Sequence, residues 1–295
     1  MKKYFLLCIL SIFAIHANTF AQKSKKKKAK KEICLSIDEL PVAVGFQDVD
    51  REAITYLFLQ ALKKHEVKAI GFVVGEQIGE SFDILGEWLN SGHTLGNMTY
   101  SNQDFNQLGI TQFIEDIKRG ERELDPMIKG FGQKKNYFRY PYLHYGNTSK
   151  KKKELTLYLD SKKYYVVPAT VVIEDYLYNM SLDKMGKEPD TTEYFALMNE
   201  YINHVLDEIE ASELLAKEVL GRSCKQIIKL RANRINAVFL DEMLGAIKSL
   251  GYEFITVDKA LKDKTFHRPE AYFGAGTVNF LQMLKESDPD HLPAE

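Results

Sequence analysis

The chain has 295 residues, 45% hydrophobic and 27% charged, with 40 Lys+Arg against 41 Asp+Glu for a net charge of −1. Residues 1–31 hold nine of those basic residues and none of the acidic ones, so the near-neutral total hides a basic tether on an acidic body of 31 basic and 41 acidic side chains. An acidic body excludes nucleic acid as a partner. The length suits one barrel-sized α/β domain or two small ones.

Lys2 and Lys3 precede an apolar run over 4–15, and Thr19 and Ala21 stand as small residues before Gln22. This three-part pattern predicts a secretory signal peptide over 1–21, too short and wrongly flanked for a spanning helix. The lysine-rich stretch 22–31 (QKSKKKKAKK) repels itself and predicts a disordered linker, with loose contact to an anionic envelope surface as its sharper role. Export to the periplasm or the extracellular space permits a disulfide between Cys34 and Cys224, with two buried free thiols as the equal alternative.

Beyond the linker, apolar runs alternate with helical patterns. A strand over 32–37 leads to a helix over 51–65, then a strand over 69–74 and a short helix over 82–90 that stops at Ser91 and Gly92. Next come a helix over 110–128, a strand over 136–140 ended by Pro141, a helix over 149–161 and a strand over 164–172 interrupted by one proline. A long amphipathic helix over 191–221, a strand over 226–230, a helix over 236–250 and a final strand over 252–257 complete the pattern. The tail from 265 to 295 reads as an irregular extension packed across one end. About seven βα units imply a parallel sheet, and closure into a barrel removes its edges. Chemistry in such a barrel gathers where the strands end, here at Asp38-Glu39, Gly75-Glu76, 93–102, 139–142, 174–176 and 231–233.

The ordered segments SIDELP, GHTLGNMTYSN, FRYPYLHYG, VIEDYLYN, IIKLRAN and GYEFITV resemble the NodB-homology polysaccharide deacetylases (carbohydrate esterase family 4) over about 32–261. The resemblance implies a distorted (β/α) barrel domain over 32–264, a polysaccharide or peptidoglycan-type glycan as partner, and a divalent metal such as zinc as the family's cofactor. In that family two aspartates end the first strand, one serving as base or as its partner and one binding metal, and two histidines complete the metal site. Here Asp38 matches the first aspartate, Glu39 replaces the second, and Met98 and Asn102 stand in the histidine places.

A catalytic zinc takes three protein ligands and an open position for water. Met98 offers a soft thioether and Asn102 a hard amide oxygen, which favour different metals, so no cofactor is expected. The resemblance further implies that Arg139 holds Asp38, that Tyr142 shapes the groove, and that Asp175 and Tyr176 position the family's acid histidine. That histidine is replaced by Arg231, which cannot donate a proton near neutral pH but can pair with Asp175 or grip an anion. His93 and His144 lie near the site in sequence and are candidates for substrate contact or, with Glu39, for a relocated metal site. The resulting expectation is an exported protein that binds or acts on N-acetylated envelope glycans without metal-dependent catalysis. The alternative is a working deacetylase of carbon–nitrogen bonds with an altered or metal-free site.

Overall fold

A computed structural model describes residues 30–43, 51–186 and 190–287. The expected signal peptide and all but the end of the lysine run lie outside the described residues. The chain divides into residues 1–30 and a body of residues 31–295, which holds all the elements that follow. Among the described residues no helix is long and apolar enough to cross a membrane.

Strand β1 (Lys31–Leu40) is buried from Ile33 onward and pairs in parallel with β2 (Ile70–Val73), β7 (Gln226–Arg231) and β8 (Tyr252–Phe254). With β3 (Thr94–Asn97), β4 (Tyr137–Phe138), β5 (Tyr165–Val166) and β6 (Val171–Val172), the hydrogen-bonded order is β5-β4-β3-β2-β1-β7-β6, and β8 joins β1 off that path. All the ladders are parallel, and the sheet curls into the distorted (β/α) barrel expected from the alternation.

The two faces of β1 explain where the site lies. Ile33, Leu35 and Ile37 join the large outer cluster beneath the helices, whereas Cys34 joins the inner cluster with Ile70, Phe72, Met98, Val167 and Ile227. Strand side chains alternate, so Ser36 and Asp38 follow Cys34 to the inside. Helices α1 (Arg51–Lys64), α2 (Phe82–Asn90), α3 (Ile110–Gly130) and α4 (Ser149–Ser161) lie along the first half of the chain. Helices α5 (Asp175–Lys184), α6 (Thr191–Leu220), α7 (Arg234–Ser249) and the short α8 (Val257–Ala260) lie along the second. Asp190 caps α6 by accepting from the Thr192 and Glu193 N–H groups, and Gly221 ends it in the left-handed region at φ 67°.

Three expectations need correction. The single strand over 164–172 is two strands at opposite ends of the hydrogen-bonded order, so no β5–β6 ladder closes the barrel. Pro168 has no N–H, and the chain crosses the seam there: Val167 N–H donates to Phe138 O, and Thr170 N–H donates to Ile227 O, each at 2.9 Å. The final strand stops at Phe254 and turns into α8. The tail is also not wholly irregular: helix α9 (Phe280–Glu286) starts on an Asn279 capping box and buries Phe280, Leu281, Met283 and Leu284. It docks at the seam, where Phe280 N–H donates to Ala169 O at 2.7 Å. Cys34 and Cys224 are free buried thiols, and burial pushes each up to about 12.

Candidate functional site

The ends of β1, β6 and β7 and the loops after β3 and β4 converge on one cavity of about 610 Å³. Glu39 comes from β1, Met98 from the loop after β3, Tyr142 from the loop after β4, and Glu174, Asp175 and Tyr176 from the start of α5. Lys229 and Arg231 come from β7, His204 and Glu208 from α6, and Thr277, Asn279 and Gln282 from the C-terminal extension.

These loops are held in unusual backbone. Glu39, Thr99, Asn102, Tyr142 and Leu143 all have positive φ, between 52° and 65°. Such conformations cost roughly 1–3 kcal/mol each for a non-glycine residue and cluster at functional sites. Gly120 on α3 allows the loop after β3 to approach, because a Cβ there would lie 2.6 Å from Asn97 Oδ1 and 2.7 Å from the Thr99 carbonyl carbon.

Asp38 is fully buried on the inner face, opposite Arg231 in the β1–β7 register. Arg139, equally buried, brings Nε to 3.8 Å from Asp38 Oδ1, donates from Nη2 to Ser36 Oγ at 2.8 Å, and rests over the Phe72 ring. Among the described residues neither oxygen of the Asp38 carboxylate has a hydrogen-bond donor. The pair is thus a close ion pair without a hydrogen bond rather than a hydrogen-bonded clamp.

Arg231 is more tightly held. Its Nε donates to Asp175 Oδ1 at 2.9 Å and its backbone N–H to Asp175 Oδ2 at 2.8 Å, while Nη1 lies 3.9 Å from Glu39 Oε1. Asn236 Nδ2 donates to the same Asp175 Oδ2 at 2.7 Å. Burial works against the guanidinium charge, yet Asp175 and Glu39 raise its pKa above the ordinary arginine value. The expected Arg231–Asp175 pair is present, and the Arg231 guanidinium faces Tyr176 at 5.7 Å. Tyr142 and Tyr176 are about half exposed at the cavity, with 47% and 45% of their surface open. Burial, then Glu39 and Asp104, raise the Tyr142 hydroxyl above its ordinary value.

Neither histidine candidate lines the cavity, although His144 touches two residues that do. His93 is buried against Trp88 and accepts from the Ala69 N–H through Nδ1 at 3.3 Å, away from the residues that line the cavity. His144 is in contact with Asp104 through Nδ1 at 2.8 Å and with Thr277 Oγ1 through Nε2 at 3.3 Å, so it ties the extension to the loop after β4. A relocated metal site from Glu39, His93 and His144 therefore does not assemble.

Zinc does not fit the family positions in this chain. Met98 is buried in the inner apolar cluster, and Asn102 lies on a left-handed loop position at φ 52°. The one anionic donor, Glu39, already faces a guanidinium, so an added cation meets like charge at close range. Among the described residues no group of three His, Cys, Asp or Glu side chains stands ready for a metal ion.

Sequence reasoning missed Lys229, His204, Glu208 and the whole contribution of the extension. For Lys229 a signal existed: a lysine inside the apolar run QIIKLR, on the same strand face as Arg231. For Thr277, Asn279 and Gln282 there was none, because their place depends on how the tail docks.

Residues 25–158 match the family model described as polysaccharide deacetylase. A peptidoglycan-N-acetylglucosamine deacetylase of Bacillus cereus is 32% identical over 101 residues, 34% of this chain and 36% of that protein. A chitin deacetylase of Arthroderma benhamiae is 30% identical over 139 residues, 46% of this chain and 35% of that protein. The matched stretches thus span little more than a third of either relative. Among solved structures, a CE4 family pseudoenzyme from Bacillus anthracis shares the fold at TM-score 0.53 and 18% identity, over 79% of this chain and 66% of that one. A mutant of that pseudoenzyme is described as having restored enzymatic activity. The chain thus resembles the polysaccharide deacetylases over residues 25–158 and shares the fold of carbohydrate esterase family 4 structures.

Proposed function

We propose that this protein is exported and binds N-acetylated envelope glycans in the cavity at the strand ends, without the family's metal-dependent hydrolysis. The observation that carries the reading is Arg231, whose guanidinium lies between Glu39 and Asp175 where the family places its acid histidine. A guanidinium keeps its proton across the physiological range and cannot act as a general acid. Without a metal to lower it, the pKa of a water stays far above neutrality, so hydroxide is not supplied at neutral pH. Tyr142 and Tyr176 offer exposed aromatic faces to a sugar ring, and Asn279 and Gln282 offer amides to its hydroxyls and acetamido group. The names of the relatives, peptidoglycan and chitin deacetylases, point to the same class of ligand.

One observation favours the second reading, a working deacetylase with an altered site: Asp38 keeps a buried carboxylate with no hydrogen-bond donor among the described residues. Retention on insoluble peptidoglycan and chitin, measured beside acetate release with and without added zinc or cobalt, separates the two. Retention without acetate is the expected result. Acetate release that disappears in Asp38→Asn establishes the hydrolase instead, and failure to bind either polymer removes the glycan reading. The lysine run is proposed to rest loosely on anionic envelope polymer. Unchanged envelope fractionation after deletion of residues 23–31 refutes that role.

A further inference from the structure

Lys229 sits inside β7, in a strand whose residues Gln226 to Leu230 are all buried. Its side chain is 9% exposed, and it lines the cavity. Among the described residues its ammonium has neither a hydrogen bond nor an ion pair. The stem is buried while the ammonium opens on the cavity, where a ligand anion can pair with it. Two residues on, Arg231 occupies the same face of the strand, with Cα atoms about 7 Å apart. Arg231 uses Nε for Asp175 and turns Nη1 toward Glu39, which leaves Nη2 without a hydrogen bond among the described residues.

The acidic residues of the cavity refine what such a pair would hold. Asp175 and Glu39 already face Arg231. Glu174, exposed at the start of α5, and Glu208, on α6, form the helix side of the cavity and suit sugar hydroxyls as donors. Four carboxylates around one cavity repel a dianion more than a monoanion, which disfavours a phosphate monoester and favours a carboxylate. Tyr142 and Tyr176 remain free to stack on the ring that bears it.

We infer that the cavity takes a sugar carrying a carboxylate, with that group held between Lys229 and Arg231 and the sugar hydroxyls turned toward Glu174 and Glu208. The inference rests on the glycan-binding reading and names the class of glycan. Uronic acids and lactyl ethers of amino sugars share this chemistry.

Calorimetric titration of the full chain with three probes tests it. The probes are neutral N-acetylglucosamine tetramer, a hyaluronan tetrasaccharide that alternates the same sugar with glucuronate, and a peptidoglycan glycan tetramer that carries lactyl ethers. At least one carboxylated probe is expected to bind about tenfold more tightly than the neutral one. Which of the two does so identifies the source of the carboxylate. The preference is expected to disappear in Lys229→Met, to survive in Lys229→Arg, and to shrink with added salt. Equal binding of all three probes by the unmodified chain overturns the carboxylate inference and leaves the glycan reading standing. A preference untouched by a folded Lys229→Met overturns the assignment to Lys229. Binding of none overturns both readings together.

Discussion

Arg231 Nη1 lies 3.9 Å from Glu39 Oε1 while its Nε donates to Asp175 at 2.9 Å, so one guanidinium ties the end of β7 to the end of β1 and the start of α5. Replacing it leaves two buried carboxylates facing each other without their shared cation. Arg231→Ala is therefore expected to destabilise the fold by about 3 kcal/mol, the low end for breaking a buried pair because Arg231 is partly exposed. Arg231→Lys recovers only part of this, since an ammonium cannot reproduce the fork that spans both acids. Urea unfolding at neutral pH measures both. A midpoint for Arg231→Ala within error of the unmodified chain would remove the guanidinium from the account of the site.

Restoring the family's residues provides the complementary gain of function. The fourfold variant Glu39→Asp, Met98→His, Asn102→His and Arg231→His is expected to hold about one zinc per chain, since it supplies three ligands and an open position. Asn102 has φ 52°, a conformation in which histidine is among the better tolerated side chains. Acetate release from N-acetylated glycan is expected to rise by about 10²–10⁴ over the unmodified chain, the scale of restored acid–base catalysis. Elemental analysis gives the metal content independently of activity. A folded fourfold variant that holds no zinc would show that the loop backbone, and not the side chains alone, has diverged.

Much of the fold was legible because its signals are local. The run EICLSI reads as a buried strand, and β1 extends it on both sides. Helix α2 falls on the expected 82–90, where Gly92 supplies a left-handed stop at φ 77°. The failures were non-local. YYVVPATVV contains enough β-branched residues for one strand, and only the partners of Val167 and Thr170, on β4 and β7, reveal that the chain crosses a seam between them. At the site, Asp38, Arg139, Asp175, Arg231, Tyr142 and Tyr176 come together around the strand ends. His93 does not, because adjacency in sequence said nothing about the Trp88 packing that holds it. Lys229 was overlooked as part of a strand, although a lone cation among apolar neighbours needs an explanation.

Helix α3 can lie against the loop after β3 only because residue 120 is glycine. A Cβ there would sit 2.6 Å from Asn97 Oδ1 and 2.9 Å from the Thr99 carbonyl oxygen, and the latter is backbone that cannot swing aside. Asn97 is itself fixed: its Nδ2 donates to Ile117 O and to the Tyr164 hydroxyl, and its Oδ1 accepts the Thr99 N–H. Gly120→Ala gains helix propensity but is expected to lose about 1–3 kcal/mol net through overpacking. Because Met98 belongs to the displaced loop, weaker glycan retention should accompany the lower unfolding midpoint. Unchanged stability would mean that the helix and loop separate freely.

His93 makes the fold's stability depend on pH in a window set by its surroundings. Burial, and then the nearby Lys68 ammonium, bring its pKa down to about 4, against about 6.5 in an unfolded chain. The folded state therefore favours the neutral ring. Above pH 6.5 both states leave His93 neutral, and its contribution is fully present. As the pH falls from about 6.5 toward 4, the unfolded chain takes up a proton that the folded chain refuses. Stability then declines by up to about 1.4 kcal/mol per unit, or about 3 kcal/mol across the window. His93→Gln supplies a side-chain acceptor for the Ala69 N–H but does not titrate, so the difference between variant and unmodified chain should grow in the variant's favour between pH 6.5 and 4. Chemical denaturation at half-unit steps measures that difference. Parallel stability curves for the two proteins would mean that His93 takes up its proton equally in the folded and unfolded chains.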